Sequence, residues 1–176
     1  MKRILLMGNP NVGKSVFFNR LTGANVIESN YPGTTVDYTR GYMRLEDEDV
    51  ELIDIPGAFS LEPKDKAEEV AVKMLAENPD SVVVCVLDAS KLERGLYMVL
   101  EIIERGYPVA IALNMWDDTM VKNIEVDVEK LKAILGIPIV PTVAIAGEGL
   151  KELVSRIEDA SSAKIEDIMG RVEYAQ

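Results

Sequence analysis

The sequence predicts an α/β fold with a mostly parallel six-stranded sheet, one antiparallel edge strand and helices on both faces. Short apolar runs alternate with helical stretches along the chain, which is the pattern of a parallel sheet covered on both faces. The acidic turn at residues 46–49 joins two predicted strands as a solvated hairpin tip, and this makes the sheet mixed. A length of 176 residues suits one domain of ordinary size.

The individual elements follow from local patterns of apolar residues. We predict strands at residues 2–7, 37–45, 50–55, 81–88, 108–114 and 138–141, and helices at residues 14–21, 66–77, 92–105, 127–135 and 150–160. Asp127 is the expected N-cap of its helix, and Gly136 is the expected stop of the same helix.

The remaining segments lack a clear period. Residues 25–36 are polar and carry Pro32 and Gly33, so we predict a loop there. We place the domain at residues 1–160 and expect a partial helix or a linker at residues 161–176, the start of a connection to a following domain.

Charge and composition exclude several classes of function. The net charge is −11, and an acidic field repels nucleic-acid backbone, which argues against RNA or DNA as a main partner. The chain has no histidine, and its one cysteine, Cys85, supports neither a disulfide nor a thiolate metal site. The longest apolar runs fall far short of the ~20 residues of a membrane-spanning helix, so we expect a soluble chain made in the cytosol.

The segment from Gly8 to Ser15 reads GNPNVGKS and matches the pattern GxxxxGK[ST] between a predicted strand and a predicted helix. Triphosphate oxygens need several converging donors, and glycines let backbone N–H groups approach them. Lys14 supplies a positive charge near the β- and γ-phosphates, and Ser15 offers a hydroxyl to Mg²⁺. The motif therefore predicts the P-loop of an NTPase domain. Its candidate nucleotide-binding residues are Gly8, Asn9, Pro10, Asn11, Val12, Gly13, Lys14, Ser15 and Val16.

The motif NMWD, from Asn114 to Asp117, indicates which base is bound. It ends an apolar strand, where α/β sheets place their ligands. The Asp117 carboxylate can accept two hydrogen bonds from the N1–H and N2–H₂ edge of guanine, a pair of donors that adenine lacks. We expect Asn114 to brace the P-loop backbone, and the thioether of Met115 to contact the base where many GTPases have a lysine.

Two further segments are candidates for contacts to Mg²⁺ and to the γ-phosphate. The motif DIPG ends a strand, so that Asp54 would hold Mg²⁺ and the Gly57 N–H would contact the γ-phosphate. In the loop YPGTTVD, which includes Gly33, we favour Thr35 over Thr34 as the threonine that reaches Mg²⁺ in the GTP state. Loops that the γ-phosphate orders and hydrolysis releases are the usual physical switch.

The segment PTVAIAGEG, residues 141–149, is expected to contact guanine O6 through backbone N–H groups. The Ser-Ala pair that is usual there aligns with Val143 and Ala144, which removes a hydroxyl that would stiffen the loop. The backbone contact of Ala144 stays available, and weaker retention of the nucleotide is the expected consequence.

Taken together, these motifs resemble the N-terminal G domain of FeoB-type ferrous iron transporters, P-loop GTPases of the translation-factor-like class. The resemblance covers about residues 2–160 and rests on GNPNVGKS, NYPGTTVD, DIPGAFSL and the stretch LDASKLERGLYMVLEIIERGYPVAIALNMWD at residues 87–117. It implies a GTP-hydrolysing switch domain on the cytoplasmic side of the cell membrane, followed in the full-length protein by a helical domain and a membrane permease. Neither follows here, so the chain looks like an excised or truncated N-terminal part, and homo-oligomerisation stays open.

The resemblance also implies a role for potassium in catalysis. The residue after Gly57 is Ala58, so the domain lacks the glutamine that orients water in many GTPases, and we expect slow intrinsic turnover. Asn11 stands where a side-chain oxygen ligates K⁺ in FeoB-like and tRNA-modification GTPases, with the loop after Ala24 completing the site. The alternative for Asn11 is a structural hydrogen bond across the P-loop. The candidate catalytic residues are Lys14, Thr35, Gly57 and Asn11.

Two other interpretations stay open at the level of the sequence. A soluble GTPase of the ribosome-assembly or tRNA-modification kind shares the pattern GxPNVGKS, but it usually carries a basic RNA-binding module, which a net charge of −11 does not favour. The other is a nucleotide-binding scaffold that does not hydrolyse GTP, and an assay of phosphate release separates it from an enzyme.

Overall fold

Seven strands form one sheet in the computed structural model, which describes residues 2–23 and 25–175. The strands are β1 (Arg3–Met7), β2 (Val26–Asn30), β3 (Asp37–Leu45), β4 (Glu48–Asp54), β5 (Val82–Asp88), β6 (Val109–Asn114) and β7 (Ile139–Pro141). Their order across the sheet is β2-β3-β4-β1-β5-β6-β7. β3 pairs antiparallel with both of its neighbours, and the other pairs are parallel.

Helices cover both faces of this sheet. They are α1 (Lys14–Thr22), α2 (Lys66–Ala76), α3 (Leu92–Glu104), α4 (Trp116–Val121), α5 (Val128–Leu135), α6 (Leu150–Arg156) and α7 (Ile165–Tyr174). α1 and α6 pack on one face through buried apolar residues such as Phe17 and Leu153. α2, α3, α5 and α7 pack on the other face through residues such as Met98 and Ile168. This arrangement confirms the predicted fold class.

The central strands are apolar throughout because both of their faces are buried. In β1, Ile4 and Leu6 point to one apolar cluster, whereas Leu5 and Met7 point to the other. All four side chains are almost completely buried. Such strands read as continuous apolar runs rather than alternating ones, and this is why the sequence located them well.

The predicted count of six strands is wrong, because residues 26–30 form β2 inside the segment that was predicted to be a loop. β2 pairs antiparallel with β3, so β3 is not the edge strand that the sequence predicted. The β2 segment, VIESN, has no buried residue. An edge strand with both faces partly exposed carries no clear apolar period in its sequence. Its extended conformation is determined by pairing with the neighbouring strand instead.

Several predicted element ends are confirmed, and others shift. The Asp127 side chain accepts from the Lys130 N–H at 2.9 Å, and Gly136 ends α5 in the left-handed conformation, as predicted. α6 is shorter than predicted, because a 3₁₀ turn at Ile157–Asp159 follows it, and α4 was not predicted.

The tail forms a helix rather than an extended linker. α7 buries Ile168, and Arg171 donates from Nη1 to the Ile134 carbonyl at the end of α5, at 3.0 Å. Met1, Ala24 and Gln176, which belong to the predicted domain ranges and to the predicted potassium loop, lie outside the described residues. Within the described ranges, none of the helices has the length and apolar character that crossing a membrane requires.

Candidate functional site

The candidate site lies at the carboxyl ends of three parallel strands. Gly8 follows β1, Ile55 follows β4 and Met115 follows β6, and parallel strands end at the same edge of a sheet. This edge is where open α/β sheets bind their ligands. The topology therefore brings the three strongest sequence motifs together.

The P-loop connects β1 to α1 and has the backbone geometry that phosphate binding needs. Gly13 has a φ of 91°, a conformation that side chains disfavour, and a Cβ there would stand 2.5 Å from Asn114 Nδ2. Both the backbone conformation and the lack of space therefore favour glycine. α1 begins at Lys14, directly after it. Its N-terminal N–H groups and helix dipole face the loop and favour an anion.

A cavity of about 240 Å³ lies inside this loop and has the size of a phosphate subsite. Its lining consists of Asn9, Asn11, Val12, Gly13, Lys14, Ser15 and Val16. Asn9 is buried, and its Oδ1 has no hydrogen-bond partner among the described residues. Asn11 is exposed and adopts a φ of 64°, a left-handed conformation that asparagine tolerates better than most residues.

Lys14 and Asp54 form an ion pair across the site. The Lys14 Nζ lies 3.2 Å from Asp54 Oδ1, and the two side chains are 12% and 11% exposed. Oδ1 is buried and accepts no hydrogen bond from the described residues. Burial raises the pKa of Asp54, and the neighbouring Lys14 ammonium and Ser15 hydroxyl offset this only in part. A buried carboxylate beside a hydroxyl and a mobile cation is a suitable oxygen donor for a divalent ion.

The DIPG loop packs directly on the P-loop. The Ala58 N–H donates to the Gly8 carbonyl at 3.1 Å. A Cβ on Gly57 would stand 3.1 Å from Pro10, a tight contact that would push the two loops apart by a few tenths of an ångström. The structure thus brings Asp54 and Gly57 to the phosphate end of the site.

A second cavity of about 280 Å³ adjoins the first and shares Gly13 and Val16 with it. Its lining consists of Gly13, Val16, Asn114, Met115, Asp117, Asp118, Val143, Ala144 and Ile145. Met115 is left-handed, with a φ of 56°, and this turn places Asp117 in the first turn of α4. The slot is mainly apolar with a carboxylate at its rim, which suits a flat heterocycle that has adjacent N–H donors.

Asn114 links three parts of the site through its side chain. Its Nδ2 donates to the Val12 carbonyl at 2.9 Å, which is the brace expected from the sequence. Its Oδ1 accepts from the Ala144 N–H at 3.0 Å and from the Thr142 hydroxyl at 3.3 Å. A contact from the Ala144 N–H to guanine O6 would therefore have to share or replace the bond to Asn114.

The loop between β2 and β3 stands apart from the two cavities. In the part of the chain that the structure describes, Gly33, Thr34 and Thr35 line neither of them. The Thr34 hydroxyl donates to the Tyr31 carbonyl at 2.9 Å and accepts from the Val36 N–H at 3.1 Å, so it is committed to the turn. Thr35 is exposed. Of the two threonines, Thr35 is therefore the one whose hydroxyl can move without breaking the turn.

Two residues that support the loops were missed by the sequence analysis. The buried Glu68 accepts from the Phe59 N–H at 3.1 Å and from the Lys64 N–H at 2.8 Å, and so it holds the segment after Gly57. The spacing Asp65–Glu68 is that of a capping box, which marks the start of α2 but not this second use.

Tyr31 also connects two distant segments of the chain. Its hydroxyl donates to Glu77 Oε1 at 2.5 Å and ties the loop after β2 to the end of α2. The hydrogen bond to Glu77 raises the pKa of Tyr31. No pattern in the sequence pointed to this contact, because the two residues lie 46 positions apart.

Known proteins resemble this chain in both sequence and fold. The sequence model of the family described as ferrous iron transport protein B matches residues 2–157. An Fe(2+) transport protein A/Fe(2+) transporter FeoB fusion protein of Porphyromonas gingivalis is 46% identical over 153 residues, which are 86% of this chain and 18% of that protein. The chain spans about a fifth of the length of the curated relatives that it matches.

Solved structures show the same fold at similar identity. The cytosolic domain of L. pneumophila FeoB is 36% identical with a TM-score of 0.88, over 93% of this chain and 65% of that one. The cytosolic domain of the T. maritima FeoB iron transporter, in a GDP form, is 36% identical with a TM-score of 0.85, over 90% of this chain and 63% of that one.

Proposed function

This chain belongs to the ferrous iron transport protein B family, and we propose that it is a domain that binds GTP or GDP with Mg²⁺ and hydrolyses GTP slowly, as a switch. The observation that carries the proposal is the pair of adjoining cavities at one sheet edge. Lys14 and Asp54 lie at the phosphate end, and Asp117 lies at the end that fits a base. The GDP form of the T. maritima relative supports the same assignment.

The test of this function is nucleotide preference together with phosphate release. Two charge-assisted hydrogen bonds to Asp117 predict that GDP binds at least about a hundredfold more tightly than ADP. Phosphate should be released from GTP and not from ATP. Equal affinity for GDP and ADP would remove the guanine assignment, and an absence of phosphate release from GTP would leave a binding scaffold.

The residues present fit Mg²⁺. We propose that Ser15 and Asp54 hold the ion, since the Ser15 hydroxyl lines the phosphate cavity and the buried Asp54 carboxylate pairs with Lys14 of the same cavity. When bound, the ion neutralises the charge that develops on the β- and γ-phosphate oxygens. Lys14 would turn from Asp54 towards the same oxygens, and the Gly57 N–H would contact the γ-phosphate. Thr35 would complete the set only in the GTP state.

The first prediction concerns Thr35. Thr35→Ala should leave GDP affinity nearly unchanged and lower GTP turnover about tenfold or more, because the loop reaches the site only when the γ-phosphate is present. Thr35→Ser keeps the hydroxyl and should retain turnover. Measuring GDP affinity and phosphate release for both variants checks this. Equal turnover in Thr35→Ala and the parent would show that Thr35 does not contact Mg²⁺, and that either Thr34 or no threonine does.

We also propose that K⁺ accelerates hydrolysis through Asn11. Ala58 cannot orient water, so charge between the β- and γ-phosphates needs another cation. Asn11 is exposed at the mouth of the phosphate cavity, where its side-chain oxygen could join phosphate oxygens around a monovalent ion. Backbone carbonyls of the segment after Ala24, of which residues 26–30 form β2, would complete the coordination.

The second prediction separates this role from a backbone role. Turnover should rise in K⁺ over Na⁺ at equal ionic strength, and Asn11→Ala should abolish that rise. Alanine is strained at a φ of 64°, so Asn11→Gly is the matched control, with no strain and no side-chain oxygen. Both variants should lose the K⁺ response. If Asn11→Gly keeps the response, Asn11 serves the turn and not the cation.

We propose that the whole protein transports ferrous iron, with this domain on the cytoplasmic side of the membrane. The family match supports this over a soluble ribosome-assembly or tRNA-modification GTPase. In the full-length protein, residues 161–176 would begin the connection to a helical domain and a permease. Uptake of Fe²⁺ into vesicles containing that protein should be higher with GTP in K⁺ buffer than with GDP. Equal uptake would contradict the coupling.

A further inference from the structure

The loop that closes the base slot is held from outside by one arginine. Arg20, in the last turn of α1, donates from Nη2 to the Ile145 carbonyl at 2.5 Å. Its guanidinium also extends across the loop, since a Cβ on Gly147 would stand 3.6 Å from Nη1. Ile145 itself lines the slot. The contact therefore acts on the same peptide segment that faces the base.

The other hydrogen bonds of this loop lie mostly within it: the Ala146 N–H donates to the Val143 carbonyl at 3.0 Å, and the Gly147 N–H donates to the Ala144 carbonyl at 3.1 Å. Val143 and Glu148 exchange two backbone hydrogen bonds, of 3.2 and 3.1 Å, which close the turn at its base. Asn114 holds the Ala144 N–H. At the tip, the Ile145 side chain is 74% exposed and packs little. Val143 offers no hydroxyl to stiffen the turn. The hydrogen bond from Arg20 joins the Ile145 carbonyl at the exposed tip to α1.

We propose that Arg20 is a positioning residue for guanine recognition, which couples the helix at the P-loop to the loop that faces guanine O6. The inference rests on the proposed function of the chain as a guanine-nucleotide domain. α1 begins at Lys14 in the phosphate cavity and ends near Arg20. One rigid helix therefore sets the distance between the phosphate end and the base end of the site. A competing role is general stabilisation of α1, because a cation in the last turn favours any helix.

The experiment compares two nucleotides in two variants. Arg20→Ala removes the contact, and Arg94→Ala is the matched control, an exposed helical arginine that makes no hydrogen bond or ion pair within the described residues. GDP offers O6 as an acceptor, whereas 6-thio-GDP offers a weakly accepting sulfur and keeps the donors that Asp117 needs. Kd for each nucleotide is measured by displacement of a fluorescent GDP analogue.

We expect Arg20→Ala to weaken GDP binding by about three- to tenfold, the effect of one net hydrogen bond. The same variant should change Kd for 6-thio-GDP by less than about twofold, because the positioned N–H groups gain little from sulfur. kcat should be unchanged at saturating GTP, with a raised KM. Arg94→Ala should match the parent for both nucleotides.

Three outcomes would overturn the inference: no change in GDP affinity, an equal loss for GDP and 6-thio-GDP, or an equal loss in Arg94→Ala. An equal loss for the two nucleotides would assign Arg20 to helix stability instead. The nucleotide preference of the parent protein distinguishes failure of the role of Arg20 from failure of the proposed function. If the parent does not prefer GDP over ADP, the guanine assignment itself is wrong. If it does and Arg20→Ala binds normally, only the role of Arg20 fails.

Discussion

Asp117→Asn is expected to lower GDP affinity by at least about a hundredfold and to shift preference towards xanthosine diphosphate. The parent carboxylate would accept two hydrogen bonds from guanine, each charge-assisted and contributing about 1.5–3 kcal/mol. The amide of asparagine presents one acceptor and two donors, so it leaves one guanine donor unpaired. Xanthine carries an oxygen at C2, and the amide can donate to it.

Asp118→Asn is the matched control for this substitution. Asp118 follows Asp117 in the first turn of α4 and lines the same slot, but its carboxylate accepts from Lys122 Nζ at 3.2 Å. Removing its charge should leave the preference for guanine intact. Titration of both variants with GDP and xanthosine diphosphate checks this. If Asp117→Asn binds GDP as the parent does, or if Asp118→Asn shows the larger loss, Asp117 does not read the base.

Local motifs explain why the phosphate end of the site was predictable. The P-loop needs contiguous residues only: glycines for close approach, Lys14 and Ser15 at the first turn of a helix, and a strand before them. The central strands were equally readable because two buried faces require an apolar run. β2 could not be read in this way. It is half-exposed on the sheet edge, and only its pairing with β3 makes it a strand.

Contacts between distant segments explain what the sequence left unresolved at the site. The sequence favoured Thr35 over Thr34, but the use of the Thr34 hydroxyl by the turn appears only when the turn around Tyr31 is folded. Arg20 and Ile145 lie 125 positions apart, and although Ile145 belongs to the segment expected to contact the base, Arg20 belongs to no motif. Glu68 was visible as part of a capping pattern, but its use by Phe59 depends on how the loop folds back.

Lys14→Met is expected to have the largest effect on turnover. Methionine keeps an apolar stem of similar length and removes the ammonium group, so the loss measures the combined contribution of its charge and its N–H donors to phosphate binding and hydrolysis. Removal of one preorganised charged donor costs about 10²–10³ in rate. Lys66→Met is the matched control, since Lys66 is the first residue of α2 as Lys14 is of α1, and among the described residues it pairs only with the exposed Glu69.

The same variant also tests the ion pair of the nucleotide-free protein. Without Lys14, the buried Asp54 carboxylate loses its nearest cation. The free energy of unfolding should then fall by about 1–3 kcal/mol or more, because a buried carboxylate is left without a compensating positive charge. Phosphate release under saturating GTP and urea unfolding without nucleotide measure the two effects separately. If the turnover of Lys14→Met stays within about threefold of the parent, Lys14 does not act on the transferred phosphate. This holds whatever the change in the free energy of unfolding, because Lys14→Met and Lys66→Met would then differ in stability and not in turnover.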